Sequence, residues 1–174
     1  MGTAGRKWMA LLAVTLILAA AVYALVQSGT REAGTIRPGG QAPDFSIIGL
    51  DGSAVKLSDY RGKDVLLNFW ASWCGPCVSE MPRMNEAYRT GMPGVEIVAV
   101  NVGESRGTVS EFASRQGLAF PVLLDPSGEA ARSYQIVGLP TSILIDSDGC
   151  IVSVVPGEMA GSGQVKELLR SIRP

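Results

Sequence analysis

The sequence predicts an α/β sandwich around a mixed central sheet, preceded by one transmembrane helix. Three observations carry this. Short apolar runs of strand type alternate with helical patterns from residue 45 to residue 134. Two further runs flank the turn signal Asp148-Gly149, and a helical pattern follows them. Near the N-terminus, residues 8–26 form a stretch of nineteen without a charge.

At about 1.5 Å per residue, a helix over 8–26 nearly spans a hydrocarbon core of roughly 30 Å. Arg6 and Lys7 precede it, which places residues 1–7 in the cytoplasm and the rest of the chain outside. A cleaved signal peptide ending at Val22-Tyr23-Ala24 is the alternative, but signal cores run to about 7–15 residues, so length favours an uncleaved anchor. Either way the domain is exported. A lipoprotein is disfavoured because no cysteine lies near this run. Residues 27–37, rich in Gly, Ser, Thr and Arg and without periodicity, read as a linker, and the folded domain as residues 38–174.

Within the domain, residues 45–48 and 55–57 are short strands flanking the turn Asp51-Gly52. Residues 65–70 are mostly apolar, as a strand buried on both faces must be. A helix opens at Gly75-Pro76 and runs to about Arg89, with Pro82 kinking it. A second buried strand covers 95–102. Thr108 with Glu111 has the spacing of a capping box and opens a helix that Gly117 ends. Residues 122–125 form a strand and 129–134 a short helix. Strands at 142–146 and 150–155 make the hairpin. Val165, Leu168, Leu169 and Ile172 give the last helix, 163–172, its apolar face.

The composition excludes several chemistries. The 174 residues carry a net charge of −1, so no basic surface invites nucleic acid. There is no histidine, hence neither the commonest general base nor the commonest zinc or copper ligand. Three cysteines are too few for a disulfide-stapled scaffold. Two of them, Cys74 and Cys77, stand where a strand meets a helix. A cysteine just before a helix N-terminus faces unpaired N–H groups and the positive end of the macrodipole, which favour the reactive thiolate. Cys74 holds that place, and Cys77 lies about one turn on, close enough to close a disulfide ring. Cys74 is therefore the attacking thiol and Cys77 the less exposed resolving thiol of thiol–disulfide exchange. Pro76 suits the first helical turn, and Gly75 lets another backbone approach. A zinc half-site lacks partner ligands, and a structural disulfide over so short a loop constrains little chain entropy. No metal is expected, and no cofactor beyond the redox-active disulfide. Cys150, at the start of a predicted strand, reads as buried and inert.

With these residues in view, the chain resembles the thioredoxin superfamily. Residues 69–77, Phe-Trp-Ala-Ser-Trp-Cys-Gly-Pro-Cys, match its central motif, and Gly138-Leu139-Pro140-Thr141 is similar to its cis-proline loop. More narrowly it resembles the TlpA/ResA-like membrane-anchored reductases that serve cytochrome c maturation. That likeness rests on the anchor, Ala42-Pro43-Asp44-Phe45, Leu67-Asn68-Phe69-Trp70, Glu80-Met81-Pro82 and the extra helix–strand at 108–125. It implies a thioredoxin-like three-layer sandwich with an N-terminal extension and an inserted helix–strand. Thioredoxin carries a buried aspartate where this chain has Asn68, which leaves no proton acceptor there. The resemblance implies that Glu80, at i+3 from Cys77, takes that role with a raised pKa; an ordinary first-turn helix acid is the plainer alternative. The Gly75-Pro76 pair is thioredoxin-like, where the ResA type has a glutamate at the first position.

The resemblance also implies that Pro140 is cis, although only about 5–6% of X–Pro bonds are. Leu139 would then pair with a substrate strand beside Cys74. Trp70 reads as core and Trp73 as a contact for substrate. The expected partners are exported disulfide-containing proteins, with apocytochrome c haem-binding cysteines favoured, and a membrane electron donor of the CcdA/DsbD kind. The expected form is a monomer in the cell membrane with its catalytic domain on the extracytoplasmic side. A general or spore-envelope reductase and a net disulfide oxidase stand as alternatives. A peroxiredoxin shares the Ala-Pro-Asp-Phe opening, but Ala71 occupies the position where that family has Thr or Ser. A copper chaperone of similar fold would need Cys-x-x-x-Cys and a histidine.

Overall fold

In the computed structural model, Trp8, residues 12–22 and residues 36–172 are described. The chain divides into two units, Met1–Ala33 and Gly34–Pro174, each taken by itself. In the first, Trp8 and residues 12–22 are helical and uncharged. The remainder of the expected span 8–26, the terminus 1–7 and most of the linker lie outside the described residues. Among the described residues no helix is long and apolar enough to cross a membrane.

The described residues of the second unit form seven strands: β1 (Ser46–Gly49), β2 (Ala54–Lys56), β3 (Asp64–Trp70), β4 (Val95–Val102), β5 (Val122–Asp125), β6 (Thr141–Ile145) and β7 (Ile151–Pro156). They form one sheet in the order β2-β1-β5-β4-β3-β6-β7. The central strands β3, β4 and β5 are parallel, and β1, β6 and β7 join by antiparallel pairing, which makes the sheet mixed as expected. The helices are α1 (Gly75–Thr90), α2 (Arg106–Gln116), α3 (Glu129–Ser133) and α4 (Ser162–Arg170).

Every residue of β3 is buried, which explains its unbroken apolar run. Strand geometry sends alternate side chains to opposite faces. Leu66 and Trp70 pack with Cys74, Cys77, Met81 and Met84 of the α1 side, with Phe112 of α2 and with Val165 and Leu169 of α4. Val65, Leu67 and Phe69 pack on the other side with Phe45, Leu57, Ala131 and Tyr134. These are the two apolar interfaces of a three-layer sandwich, and burying each such aliphatic or aromatic side chain contributes roughly 1.5–3 kcal/mol. Asn68 shares the face of Leu66 and Trp70, so the sheet turns a polar side chain toward α1.

Several boundaries differ from the sequence reading, each for a local reason. Leu57 leaves the second strand and begins a 3-10 turn, Leu57–Tyr60, whose backbone is held by Lys56 N–H donating to Asp59 Oδ2 at 2.8 Å. Helix α2 starts two residues earlier than Thr108: Ser105 is its N-cap and its Oγ accepts from Thr108 N–H. Glu111 instead pairs with Arg115 one turn on. Gly117 closes α2 in the left-handed conformation as expected. The β6–β7 connection is longer than a two-residue hairpin. Asp146 Oδ1 accepts from both Asp148 N–H and Cys150 N–H, and this wraps the turn. Cys150 therefore precedes β7. It bridges to Gln41, is half-buried, and its sulfur accepts from Gln41 Nε2 at 2.9 Å. The expectation of a buried strand cysteine is corrected accordingly. Helix α1 runs unbroken through Pro82.

Candidate active site

The site lies where the C-terminal ends of β3 and β4 meet the start of β6. Register places Phe69 opposite Thr141 and Trp70 opposite Asn101. Three segments therefore converge there: the loop from β3 into α1, the loop ending at Pro140, and the turn after β4.

Cys74 is the N-cap residue of α1, in extended conformation, and its sulfur accepts from Cys77 N–H at 3.3 Å. The two cysteines form a disulfide. Cys74 is 7% exposed and Cys77 wholly buried, the asymmetry an attacking and a resolving thiol need. Pro76 occupies the first turn, where its missing N–H costs nothing. Gly75 is exposed, and a Cβ built there would meet nothing within 4 Å. Among the described residues no neighbour demands glycine there.

The Leu139–Pro140 peptide is cis, as the resemblance implies. Pro140 C=O accepts from Gly157 N–H at 2.8 Å, and Thr141 Oγ1 donates to Gly138 O at 2.8 Å, so the loop is tied to β7 and to itself. Leu139 is half-buried against both cores. Beside it, Val137 is fully exposed, and Trp73 on the other loop is 72% exposed. Trp70, by contrast, is fully buried against Phe112.

Glu80 is wholly buried, on α1 one turn beyond Cys77. Its Oε1 accepts from Asn68 Nδ2 at 2.8 Å and its Oε2 from Met159 N–H at 3.0 Å. Burial pushes its pKa up from the usual carboxylate range, against the pull of those two bonds. An ordinary exposed first-turn acid would have no such environment. Asn68 also donates to Ser142 Oγ at 2.9 Å. It is thus a partner that orients Glu80, a role beyond the vacancy read from sequence. Arg83 holds the other side of the Met159 peptide, Nε donating to its carbonyl at 2.9 Å, and also pairs with Glu158. Ser142, Met159 and Arg83 carry no sequence signal for this site, because only the fold brings their segments together.

Among the described residues no group of three or more His, Cys, Asp or Glu side chains could hold a metal ion. The site brings together one disulfide at a helix N-terminus, a cis-proline loop and a buried carboxylate one helical turn beyond Cys77.

These features define a thiol–disulfide oxidoreductase of thioredoxin-like fold, and the comparisons with known proteins agree. The AhpC/TSA family model matches residues 38–154, and the chain belongs to that family. It is 42% identical over 170 residues to the thiol-disulfide oxidoreductase ResA of Geobacillus thermodenitrificans, covering 97% of each chain. With the protein of the same description from Bacillus subtilis it shares 39% identity, over 94% of this chain and 90% of that one. Among solved structures, a thioredoxin-family thiol:disulfide interchange protein of Chlorobium tepidum superposes with a TM-score of 0.70 at 30% identity, covering 78% of this chain and 97% of that one. StoA of Bacillus subtilis superposes with a TM-score of 0.65 at 31% identity, over 72% and 96% of the two chains.

Proposed function

We propose that the protein is a membrane-tethered disulfide reductase acting on the extracytoplasmic side, on exported proteins, with the paired haem-binding cysteines of apocytochrome c as the favoured substrate. The observation that carries the reading is the buried Glu80 carboxylate one helical turn behind the buried Cys77. The uncharged N-terminal run and the basic pair before it support export and anchorage. The 39–42% identity to proteins described as ResA, and the group's service to cytochrome c maturation stated above, support the substrate.

In the reduced protein the Cys74 thiolate, favoured by the helix N-terminus, attacks one sulfur of a substrate disulfide. The substrate S–S bond breaks, a mixed disulfide forms on Cys74, and one substrate thiolate leaves and takes up a proton. Glu80, ionised and hydrogen-bonded, accepts the Cys77 proton. The Cys77 thiolate then attacks Cys74, releases the second substrate sulfur as a thiolate and closes the Cys74–Cys77 ring. Two electrons have passed to substrate, and a membrane dithiol donor of the CcdA/DsbD kind restores the reduced pair. Trp73, next to Cys74 in the chain, and Leu139, packed on the core cluster that includes Cys74, receive the substrate segment. Gly75 and Pro76 leave the approach to Cys74 open.

Equilibration of the Cys74–Cys77 pair against glutathione or thioredoxin tests the direction. A potential near that of thioredoxin, about −270 mV, is expected; a value near −120 mV, the range of a strong oxidant, would make the protein a net oxidase.

A further inference from the structure

The turn after β4 sends a carboxylate back into the redox loop. Gly103 takes a positive φ, and its N–H donates to Asp125 O at 2.9 Å, which folds the chain so that Glu104 reaches the segment between β3 and α1. Glu104 Oε2 accepts from Ser72 N–H at 2.7 Å and from Asn101 Nδ2 at 2.7 Å, and Oε1 accepts from Ser72 Oγ at 2.5 Å. Asn101 is itself wholly buried, at the end of β4 opposite Trp70, so the carboxylate is anchored to the rigid sheet. Ser72 lies two residues before Cys74, inside the turn that Cys74 N–H closes onto Ala71 O at 3.2 Å.

We propose that Glu104 is a positioning residue for thiol–disulfide exchange. Braced by Asn101, it fixes the Ser72 backbone and side chain, and through them it holds Cys74 at the N-terminus of α1. The thiolate is stabilised there only while its sulfur stays in line with the first N–H groups, such as that of Cys77. Nothing in the peptide chemistry of Ala71-Ser72-Trp73 enforces that placement alone. Two charge-assisted bonds from Ser72 to the carboxylate, which a third from Asn101 anchors, add to the turn that Cys74 N–H closes onto Ala71 O. Burial works to raise the Glu104 pKa, but the bonds from Asn101 and Ser72 outweigh it and hold it below the usual value, so the brace is ionised at neutral pH. The proposal rests on Cys74 being the attacking thiol.

The sign of one measurement separates positioning from simple charge. A carboxylate that acted only through its negative field would disfavour the thiolate, so its removal would lower the Cys74 pKa. Loss of a brace releases the sulfur from the helix terminus and raises it. The experiment titrates Cys74 in a Cys77→Ser background by alkylation rate against pH, followed at Cys74 by mass spectrometry. Glu104→Ala, Glu104→Gln and Ser72→Ala are compared, with thermal midpoints measured alongside. Glu104→Ala is expected to raise the Cys74 pKa by up to about one unit, the size of a lost helix-terminus interaction. Exchange with a small disulfide at pH 7, measured with Cys77 intact, should slow about two- to fourfold, because rising nucleophilicity offsets part of the lost thiolate. Glu104→Gln keeps one acceptor oxygen and should fall between Ala and wild type. Ser72→Ala, which removes a single hydroxyl bond, should shift the pKa least and in the same direction, and it keeps the test open if the Glu104 variants do not fold. A lowered Cys74 pKa, or a fallen thermal midpoint with pKa and rate unchanged, overturns the positioning role. An ordinary Cys74 pKa of about 8.5 before any change at Glu104 would instead overturn the attacking-thiol reading itself.

Discussion

Replacing Glu80 by Gln removes the proposed proton acceptor while the packing that surrounds it stays in place. Two donors, Asn68 Nδ2 and Met159 N–H, point at the carboxylate. A Gln amide has one acceptor oxygen, which can keep the Met159 bond. Its NH2 would then face the Asn68 NH2, but turning the Asn68 amide over presents Oδ1 instead and carries the NH2 to the place where, among the described residues, Oδ1 has no hydrogen-bond partner. The Ser142 hydroxyl, either donor or acceptor, rotates to follow. The bonds to residue 80 therefore survive, at the cost of a buried Asn68 NH2 left without an acceptor, about 1–3 kcal/mol. That cost does not vary with pH, whereas the carboxylate pKa is raised by burial. A group with a raised folded-state pKa contributes stability that is fully present below its unfolded value, near 4.5 for Glu80, and is lost as pH rises through the folded value.

The thermal midpoint of Glu80→Gln should accordingly gain on wild type as pH rises from about 4.5 through that range, and then run parallel. Exchange should move the other way. Positioned proton transfer contributes roughly 10²–10⁴-fold, and the low end suits a thiol, so resolution by Cys77 should slow by about 10²-fold. Stopped-flow mixing of reduced protein with a disulfide peptide, across pH, reads the rate, and differential scanning fluorimetry reads the stability. An unchanged rate of Cys77 attack would refute the proton-acceptor role. A stability difference independent of pH would refute the buried, titrating carboxylate.

Two further outcomes follow from the same geometry. Trp73→Ala should raise KM for a protein substrate, measured by steady-state reduction of an unfolded disulfide protein, and shift stability by no more than about 0.5 kcal/mol, since the indole is 72% exposed. Gly149→Ala should destabilise the fold by about 1 kcal/mol in urea unfolding, because Gly149 holds a φ of 78°, where an L side chain is strained; the Arg61 guanidinium that a Cβ would meet is the free end of a flexible side chain and can move aside.

The elements that could be read from sequence were those whose pattern is local. The strand Asp64–Trp70 declared itself by an unbroken apolar run because both faces are covered, and the position of Cys74 before Gly75-Pro76 announced a helix N-terminus that the structure has. Boundaries set by one side-chain bond were less legible: Ser105, not Thr108, caps α2, and the Asp146 carboxylate moves Cys150 out of β7. The least legible part was the polar lattice around the site. Asn68, Ser142, Met159 and Glu104 come from four segments, and their bonds cross 12 to 79 positions of chain. No periodicity encodes such pairs. The family resemblance supplied Glu80 and the cis Pro140, which composition alone could not.

The central claim, unequal roles for the two cysteines, is tested most directly by trapping. Reduced Cys77→Ser protein is mixed with an apocytochrome c peptide whose haem-binding cysteines are joined as a disulfide, and adducts are resolved by non-reducing electrophoresis and mass spectrometry. The account predicts a persistent mixed disulfide on Cys74, and little or none from Cys74→Ser, whose remaining Cys77 is wholly buried in the disulfide-bonded structure. Equal trapping by the two variants, or an adduct on Cys77 alone, would contradict it.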